Sequence, residues 1–336
     1  MSFINEYSTI IRRSNKDMFN FYCNGKLKYD YFNNNGNLVS STSIIDDDFD
    51  FTNFYFTLEE DDSIYGIYKD NALKLFKIDR GSNSFTEKDI LTYNYKKFDI
   101  LFPRIKRIND SLHIFYYVYN KNTSNTCALF HHYNHNGIWT ENKIDFLSHI
   151  VLSDYTVIWI QDSPVIFYFN LVDGFEEIFL SRFNCNTLTW SSPVQITNSR
   201  KNKIYLSVLK DYMNFYHLTF CENIDNGYAV KYVNGYLMDD KLDINTSTYI
   251  TGPSTCMYPS LIKNESNLYL IWVNYDKLNT SLSKDLGKTW SEHEVDEFSI
   301  EENFNIARFF SNYKNDKPYN VTSVFTTNND IGILGF

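Results

Sequence analysis

The sequence has 336 residues, of which 18% are aromatic and 21% are charged, and its formal net charge is −10. This composition supports a large buried core and excludes a disordered chain, while the acidic balance argues against general electrostatic binding of nucleic acid. Its apolar runs are too short to cross a bilayer, so we expect no membrane insertion.

The beginning of the chain shows no secretory signal, since residues 1–7 lack both a basic segment and an apolar segment. The five cysteines are odd in number and widely spaced, which favours reduced thiols over a disulfide framework or a zinc site. We therefore expect synthesis in the cytoplasm. The final location stays open, with a cell or spore surface as one alternative, and the chain is also compatible with a domain excised from a longer protein.

Short apolar segments run through the whole chain and are separated by Asn, Asp, Ser and Gly. Residues 63–68 and 164–169 are examples, rich in Ile, Val, Tyr and Phe. Their length of five to eight residues suits strands, and no long amphipathic helix interrupts them. The sequence therefore predicts an all-β protein.

Two landmarks recur at a period of about 50 residues. An acidic residue just before an aromatic-rich strand occurs at Asp17, Asp62, Asp110, Asp162, Asp211, Glu265 and Asp316. A polar turn closed by a large apolar residue runs in step, ending at Leu38, Phe85, Trp139, Trp190, Leu242 and Trp290. Four short strands with their turns fill one such period, which is typical of a β-propeller blade.

We predict a single β-propeller domain over residues 1–336 with seven blades, since the first landmark has seven copies. The blades are expected at roughly 1–47, 48–95, 96–148, 149–200, 201–251, 252–300 and 301–336. The last copy has room for about three strands, so a strand at residues 2–7 is expected to close the ring by pairing the two termini. If the first copy is only a cap, six blades remain.

One turn carries a complete motif. Ser283, Asp285, Gly287, Thr289 and Trp290 match S-x-D-x-G-x-T-W, the Asp box. The chain therefore resembles the BNR/Asp-box, sialidase-like β-propeller superfamily. The resemblance implies a structural turn between the third and fourth strands of a blade, on the face opposite the substrate site.

The resemblance does not extend to sialidase catalysis. Sialidases clamp the substrate carboxylate with three arginines, the first in an Arg-Ile-Pro context. This chain has eight arginines and no such context, since residues 102–105 have the composition in another order. No catalytic residue is assigned, and the sequence leans against an enzyme.

No cofactor is expected. Asp46, Asp48 and Asp50 form the densest acidic cluster; Ca²⁺ binding is the alternative there, and a solvated loop is the preferred interpretation. His131 and His132 suggest a metal cluster, but adjacent residues of a strand point to opposite faces, which argues against it.

A binding surface is expected on the face that carries the blade-to-blade loops. Tyr93, Tyr95 and Tyr258 offer flat aromatic surfaces there, and Arg200 adds a positive charge. We therefore predict a non-catalytic recognition module for a glycan or a protein, of undetermined oligomeric state. The alternatives are a glycoside hydrolase with an unrecognised carboxylate pair, and a structural scaffold of a surface layer or appendage.

Overall fold

The structure, a computed structural model, describes residues 7–47, 49–123, 126–148, 153–327 and 333–334. It is an all-β, six-bladed β-propeller, and within the described ranges it has one short α-helix, α1 (Phe298–Glu301). No helix in this part of the chain is long and apolar enough to cross a membrane. The chain divides into two compact units.

The N-terminal unit comprises Ser2–Ile150 and Ala307–Lys317 and contains three sheets built from consecutive antiparallel strands. The first sheet contains β1 (Tyr7–Arg12), β2 (Met18–Cys23), β3 (Leu27–Phe32) and β4 (Leu38–Ile45). A 3-10 helix (Phe51–Asn53) precedes the second, which contains β5 (Phe54–Leu58), β6 (Ile64–Lys69), β7 (Ala72–Ile78) and β8 (Phe85–Thr92). The third contains β9 (Phe98–Ile108), β10 (Ser111–Asn120), β11 (Cys127–His135) and β12 (Ile138–Leu147).

The C-terminal unit comprises Val151–Ile306 and Pro318–Phe336 and contains the other three sheets. The fourth sheet contains β13 (Thr156–Ile160), β14 (Ser163–Val172), β15 (Phe175–Asn184), β16 (Thr189–Trp190) and β17 (Val194–Gln195). The fifth contains β18 (Lys203–Lys210), β19 (Phe215–Ile224), β20 (Gly227–Met238) and β21 (Lys241–Tyr249). The sixth contains β22 (Met257–Asn264), β23 (Asn267–Asn274), β24 (Lys277–Ser283) and β25 (Glu294–Val295).

The prediction of seven blades is wrong, because the last repeat forms no sheet of its own. Its strands are β26 (Phe304–Ser311), β27 (Tyr319–Val321), β28 (Val324–Thr327) and β29 (Ile333–Leu334). β26 ends in the N-terminal unit beside β1, whereas β27 pairs with β22 in the sixth sheet. β27, β28 and β29 have only two to four residues, and strands this short gain more by extending existing sheets than by forming a separate sheet with two exposed edges.

The expected pairing of the two termini is seen for the part of the N-terminal strand that begins at Tyr7. The N-terminal strand that is seen, β1, begins at Tyr7 and has the C-terminal strand β26 as its neighbour. Residues 2–6 of the predicted closing strand lie outside the described residues. Within the N-terminal unit, the Arg12 guanidinium also bonds the Asp316 carboxylate at 3.0 Å.

The cores lie between neighbouring sheets of each unit. In β2, Phe19, Phe21 and Cys23 alternate with less buried residues, which is the pattern of a strand with one face on the core. β14 instead buries a continuous run from Pro164 to Phe169, because its sheet is covered on both faces. Packing on both faces holds the sheet of β14 rigidly and so positions the side chains at the ends of its strands.

Candidate functional site: a buried carboxylate–lysine cluster

In the C-terminal unit, five polar side chains meet where the chain passes from the fourth sheet to the fifth. This carboxylate–lysine cluster consists of Glu177, Lys203, Glu222, Lys231 and Tyr249. Strand register explains four of its members, since Lys203 of β18 pairs with Glu222 of β19 and Lys231 of β20 pairs with Tyr249 of β21. All four therefore lie at the end of the fifth sheet that carries the blade-to-blade link.

Lys203 lies at the centre of the cluster. Its Nζ is 2.8 Å from Oε2 of Glu177 and 3.5 Å from Oε2 of Glu222. It also donates to the backbone carbonyls of Glu176 at 2.9 Å and Lys201 at 2.7 Å. The Lys203 and Glu222 side chains are 0% exposed and that of Glu177 is 1% exposed. One fully buried ammonium thus holds two buried carboxylates together.

Glu222 accepts hydrogen bonds from three further donors. Lys231 Nζ lies 2.8 Å from its Oε1, Ser199 Oγ donates to its Oε2 at 2.6 Å, and the Tyr249 hydroxyl donates to Oε1. Burial acts to raise the pKa of this carboxyl, but the three donors and the Lys231 charge outweigh it, so its pKa is lowered. Glu222 is therefore an ionised base held in the interior.

Glu177 is held from the other side by the link between the sheets. Thr197 Oγ1 donates to its Oε2 at 2.6 Å, and the backbone N–H of Arg200 donates to its Oε1 at 2.8 Å. Arg200 has a φ of 55°, a backbone conformation that turns this N–H towards the carboxylate. Its guanidinium stays exposed, 3.6 Å from Asp173.

Tyr249 connects the buried charges to solvent. Its side chain is 39% exposed, and Lys231 and Lys201 lie over its ring at 4.7 and 5.6 Å. Burial of the hydroxyl, followed by its hydrogen bond to the Glu222 carboxylate, raises the pKa of Tyr249. The phenol is therefore protonated at neutral pH, with a base already in contact with its proton.

The N-terminal unit has a smaller cluster at the corresponding strand ends, around Asp99. This carboxylate contacts Lys69 at 2.5 Å, Lys121 at 3.6 Å and the Tyr119 hydroxyl at 3.1 Å. Burial opposes ionisation, but the two ammonium groups and the hydroxyl lower the pKa of Asp99 overall. This arrangement resembles the carboxylate–lysine cluster in chemistry but has a single carboxylate.

The predicted ligand-binding tyrosines are found at two places. Tyr93 and Tyr95 lie in the loop between β8 and β9; Tyr95 is exposed, whereas burial and then the charge of Asp99 raise the pKa of Tyr93 to about 12. Tyr258 lies in β22, where its ring centroid is 4.2 Å from that of Tyr205. Of the four predicted residues, Arg200 is the one whose backbone contacts the carboxylate–lysine cluster.

Tyr258 and Asp285 lie at opposite ends of the sixth sheet. Met257, beside Tyr258, pairs with Val273, whereas Ser283, two residues before Asp285, pairs with Leu268 at the other end of β23. This is the arrangement expected when the blade-to-blade links and the turn between the third and fourth strands emerge at opposite strand ends.

The turn at 283–290 is a hydrogen-bonded loop between β24 and β25. Asp285 Oδ1 accepts from the backbone N–H groups of Lys288 at 3.1 Å and Thr289 at 2.9 Å, and Oδ2 accepts from Thr289 Oγ1 at 2.6 Å. Ser283 Oγ accepts from the N–H of Gly287 at 2.8 Å. Hydrogen bonds from Thr289 are the largest cause that lowers the pKa of Asp285 to about 2.

This turn is also anchored in the core of its unit. The indole of Trp290 packs against Tyr232 of the fifth sheet at 4.9 Å between centroids. Tyr232 in turn contacts the ring nitrogen Nδ1 of His217 at 2.6 Å, and Asn234 donates to the Leu286 carbonyl at 3.1 Å. These residues hold the turn in place by packing and hydrogen bonding.

The residues of the predicted acidic cluster and the two histidines form hydrogen bonds and ion pairs with other protein groups. Asp46 accepts from Ser43 and lies 3.6 Å from Lys26, and Asp50 accepts from the Thr52 N–H; Asp48 lies outside the described residues. His131 contacts His113, whereas His132 contacts Tyr116 and Glu141. Among the residues that the structure describes, no three His, Cys, Asp or Glu side chains are grouped to hold a metal ion.

The carboxylate–lysine cluster is not apparent from the sequence, because it is assembled from strands of two sheets. The available signal was a charged residue within or beside an apolar strand run, as at Glu222 after residues 218–221 and Lys231 within 229–233. Charged residues are rarely fully buried unless paired, so such positions indicate a buried ion pair. The sequence alone does not show which partners meet.

No family model and no curated protein matches the sequence. Solved structures match its fold over nearly the full length. One is a polysaccharide lyase of family PL25, an ulvan lyase bound to -[GlcA(1-4)Rha3S]-, with 11% identity, a TM-score of 0.60 and coverage of 95% of this chain and 91% of that chain. A second is the GH93 α-L-arabinofuranosidase of Fusarium graminearum with arabinobiose, with 10% identity, a TM-score of 0.56 and coverage of 83% and 94%. The polysaccharide lyase Uly1 matches with 9% identity, a TM-score of 0.55 and coverage of 88% and 82%.

These neighbours correct two expectations drawn from the sequence, one about function and one about catalysis. The non-catalytic recognition module and the leaning against an enzyme are both overturned, because the structures that share the fold are enzymes that act on glycans. Neither the missing sialidase arginines nor short motifs reveal a site that a fold of this kind assembles from distant strands.

Proposed function

We propose that the protein is a carbohydrate-active enzyme that hydrolyses glycosidic bonds, with the carboxylate–lysine cluster as its active site. The observation that carries this proposal is the contact between the hydroxyl of the partly exposed Tyr249 and the buried, ionised carboxylate of Glu222. The structural neighbours support a glycan as the ligand, since they are a glycosidase and two polysaccharide lyases.

The two carboxylates are closer together than the pair of an inverting hydrolase. Because both contact Lys203 Nζ, their Oε2 atoms are separated by no more than the sum of 2.8 and 3.5 Å. This is below the separation of roughly 6.5–9.5 Å that leaves room for water in inverting enzymes. Glu177 and Glu222 are both inaccessible to solvent, however, so a substrate cannot approach either of them directly.

Tyr249 is the cluster member that a substrate can reach. In the proposed reaction its hydroxyl oxygen attacks the anomeric carbon while its proton moves to Glu222, since a tyrosine nucleophile needs an adjacent base. The glycosidic C–O bond breaks at the same time, and the departing oxygen takes a proton from a water molecule. The hydroxide so formed then attacks the anomeric carbon and cleaves the tyrosyl–sugar bond, and Glu222 returns its proton to Tyr249. The raised pKa of Tyr249 keeps the phenol neutral until attack. Lys231 and Lys203 stabilise the Glu222 carboxylate between turnovers, and Glu177 balances the charge of Lys203.

The positive charges around Tyr249 favour a second candidate, elimination by a polysaccharide lyase. Lys201 Nζ lies 3.3 Å from the Tyr249 hydroxyl, and Lys231 lies over its ring. Cations at this position would neutralise a uronate carboxylate, and Tyr249 would then transfer protons instead of attacking carbon. Under this candidate the substrate is an acidic polysaccharide.

The test is a screen against neutral and uronate-containing polysaccharides with two readouts. A reducing-end assay detects cleavage of either kind, while ultraviolet absorbance of an unsaturated uronate detects only elimination. Tyr249→Phe and Glu222→Gln should each lower kcat by about 10²–10⁴-fold, the usual worth of a positioned acid or base. Tyr236→Phe, at an exposed tyrosine of the same sheet, is the matched control.

Cleavage that persists in both variants at the wild-type rate would place the active site elsewhere. Absence of cleavage across the whole screen would remove the proposal of an enzyme. Cleavage without the unsaturated product supports hydrolysis, and its appearance supports the lyase.

A further inference from the structure

A cleft opens between the outer strands of the second and third sheets, both in the N-terminal unit and independent of the proposed active site. It encloses about 330 Å³. Its lining includes Ile90 and Leu91 of β8, Ile114 of β10, His132 of β11, and Trp139 and Glu141 of β12. The volume is at the lower end of the range for small-molecule sites, roughly 300–1,000 Å³.

The floor of the cleft is the edge of a hydrophobic core. Ile114 is buried, and Ile90 and Leu91 pack partly buried against the same cluster. β8 and β12 are the last strands of their sheets, and within the described residues no further strand pairs with their outer edges. The floor therefore offers a small apolar surface.

The wall of the cleft carries a polar group of three side chains. Nε2 of His132 is 3.1 Å from Oε2 of Glu141 and 2.6 Å from the hydroxyl of Tyr116. His132 and Glu141 are directly opposite each other in the β11–β12 register, so strand pairing holds them together. The Glu141 side chain is nevertheless 60% exposed, and a carboxylate accepts about four hydrogen bonds.

Trp139 completes the cleft with an aromatic surface. It is 44% exposed, and its ring lies 6.5 Å from that of His132 at an interplanar angle of 63°. A half-exposed indole leaves apolar surface in contact with water, and a ligand stacked on the indole would bury that surface. Exposed Trp beside a hydrogen-bonding carboxylate is a combination that fits the apolar and hydroxyl surfaces of a sugar ring.

We propose that this cleft is a second saccharide-binding site, which holds one sugar ring of a glycan chain against Trp139 and the floor while Glu141 and His132 bind its hydroxyl groups. Such a site would keep a polymeric substrate on the protein without taking part in cleavage. The proposal goes beyond the function proposed above, and binding alone tests it.

The test is affinity electrophoresis of the full chain in gels that contain arabinan, ulvan, xylan, pectin or cellulose derivatives. The dissociation constant for each polysaccharide follows from the retardation at several polysaccharide concentrations. The variants are Trp139→Ala and Glu141→Gln, each checked for an unchanged melting temperature. Phe146→Ala is the matched control, since Phe146 is an exposed aromatic residue of the same strand that does not line the cleft.

We expect retardation by at least one polysaccharide, weakened about tenfold or more by Trp139→Ala, as for loss of an aromatic anchor. Glu141→Gln should weaken it several-fold, and Phe146→Ala should leave it unchanged. If Trp139→Ala does not fold, the Glu141→Gln result decides. No retardation in any gel, or equal dissociation constants for wild type and the cleft variants, overturns the proposal. Loss of retardation in Trp139→Ala supports it whether or not any substrate is cleaved.

Discussion

The hydroxyl of Tyr249 donates a hydrogen bond to Oε1 of Glu222, and of these two side chains Tyr249 alone reaches solvent. A buried carboxylate next to an exposed phenol separates two requirements of a reactive site. The base is held ionised by fixed donors in the interior, while the group that meets the ligand lies at the surface. Building such a pair requires several buried charges to compensate one another.

Lys203 is predicted to neutralise most of the buried negative charge of Glu177 and Glu222. Lys203→Met leaves Glu177 and Glu222 buried without their shared ammonium, so the free energy of unfolding should fall by roughly 3–5 kcal/mol, as for breaking a buried ion pair. Urea denaturation measures this loss. Lys201→Met, at the partly exposed neighbour, should cost much less. Adding Glu177→Gln to Lys203→Met should restore part of the stability, and a double variant no more stable than Lys203→Met would contradict the shared role.

Gly287 is predicted to be required for two separable reasons. Its φ is +86°, and a Cβ there would lie 2.0 Å from the hydroxyl of the buried Tyr232. Gly174 has a φ of +87° with open space around it, so Gly174→Ala should cost only about 1 kcal/mol for the backbone conformation. Gly287→Ala should cost roughly 1–3 kcal/mol more because of the clash. Equal melting temperatures for the two variants would rule out the steric contribution.

His113 is predicted to make the protein sensitive to acid. Burial lowers the pKa of His113 from its ordinary 6.5 to about 3. The unfolded chain therefore binds this proton below about pH 6.5 while the folded chain does not, so the stability contribution is fully present above that pH and is lost as pH falls towards 3. The slope should reach about 1.4 kcal/mol per pH unit.

The measurement is urea denaturation between pH 7 and pH 4 on wild type and His113→Gln. The glutamine keeps a hydrogen-bonding group towards His131, which lies 3.1 Å away, but does not titrate. The difference in unfolding free energy between the two proteins should shrink as the pH falls. A difference that stays constant with pH would show that the unfolded chain does not bind a proton at His113 in preference to the folded chain.

Asn312 is predicted to fasten the C-terminal segment of the N-terminal unit. Its Nδ2 donates to the carbonyl of Glu59 at 2.7 Å and to Oδ1 of Asp62 at 2.9 Å. Asn312→Ala leaves both acceptors without this donor, which should lower stability by about 1–3 kcal/mol. Thermal unfolding checks the loss. Asn71→Ala, at an exposed asparagine, should change the melting temperature little, and a similar loss in both would argue against a special role.

Local sequence features predicted several parts of the structure correctly. The alternation of short apolar segments with polar turns predicted an all-β chain, because the strand period and the turn residues act within a few positions. The motif from Ser283 to Trp290 predicted a turn whose hydrogen bonds nearly all lie within eight residues.

The sequence by itself thus determined the strands, their turns and the propeller class, since these depend on interactions between neighbouring residues. The tertiary structure alone decided that the last repeat joins existing sheets, because a strand's partner is chosen by long-range pairing that a repeat count does not reveal. It also decided that Glu177, which is 26 residues from Lys203, and Glu222, which is 19 residues from it, share one ammonium. The packing of the two sheets brings these distant charges together, and their mutual attraction offsets the cost of removing them from water.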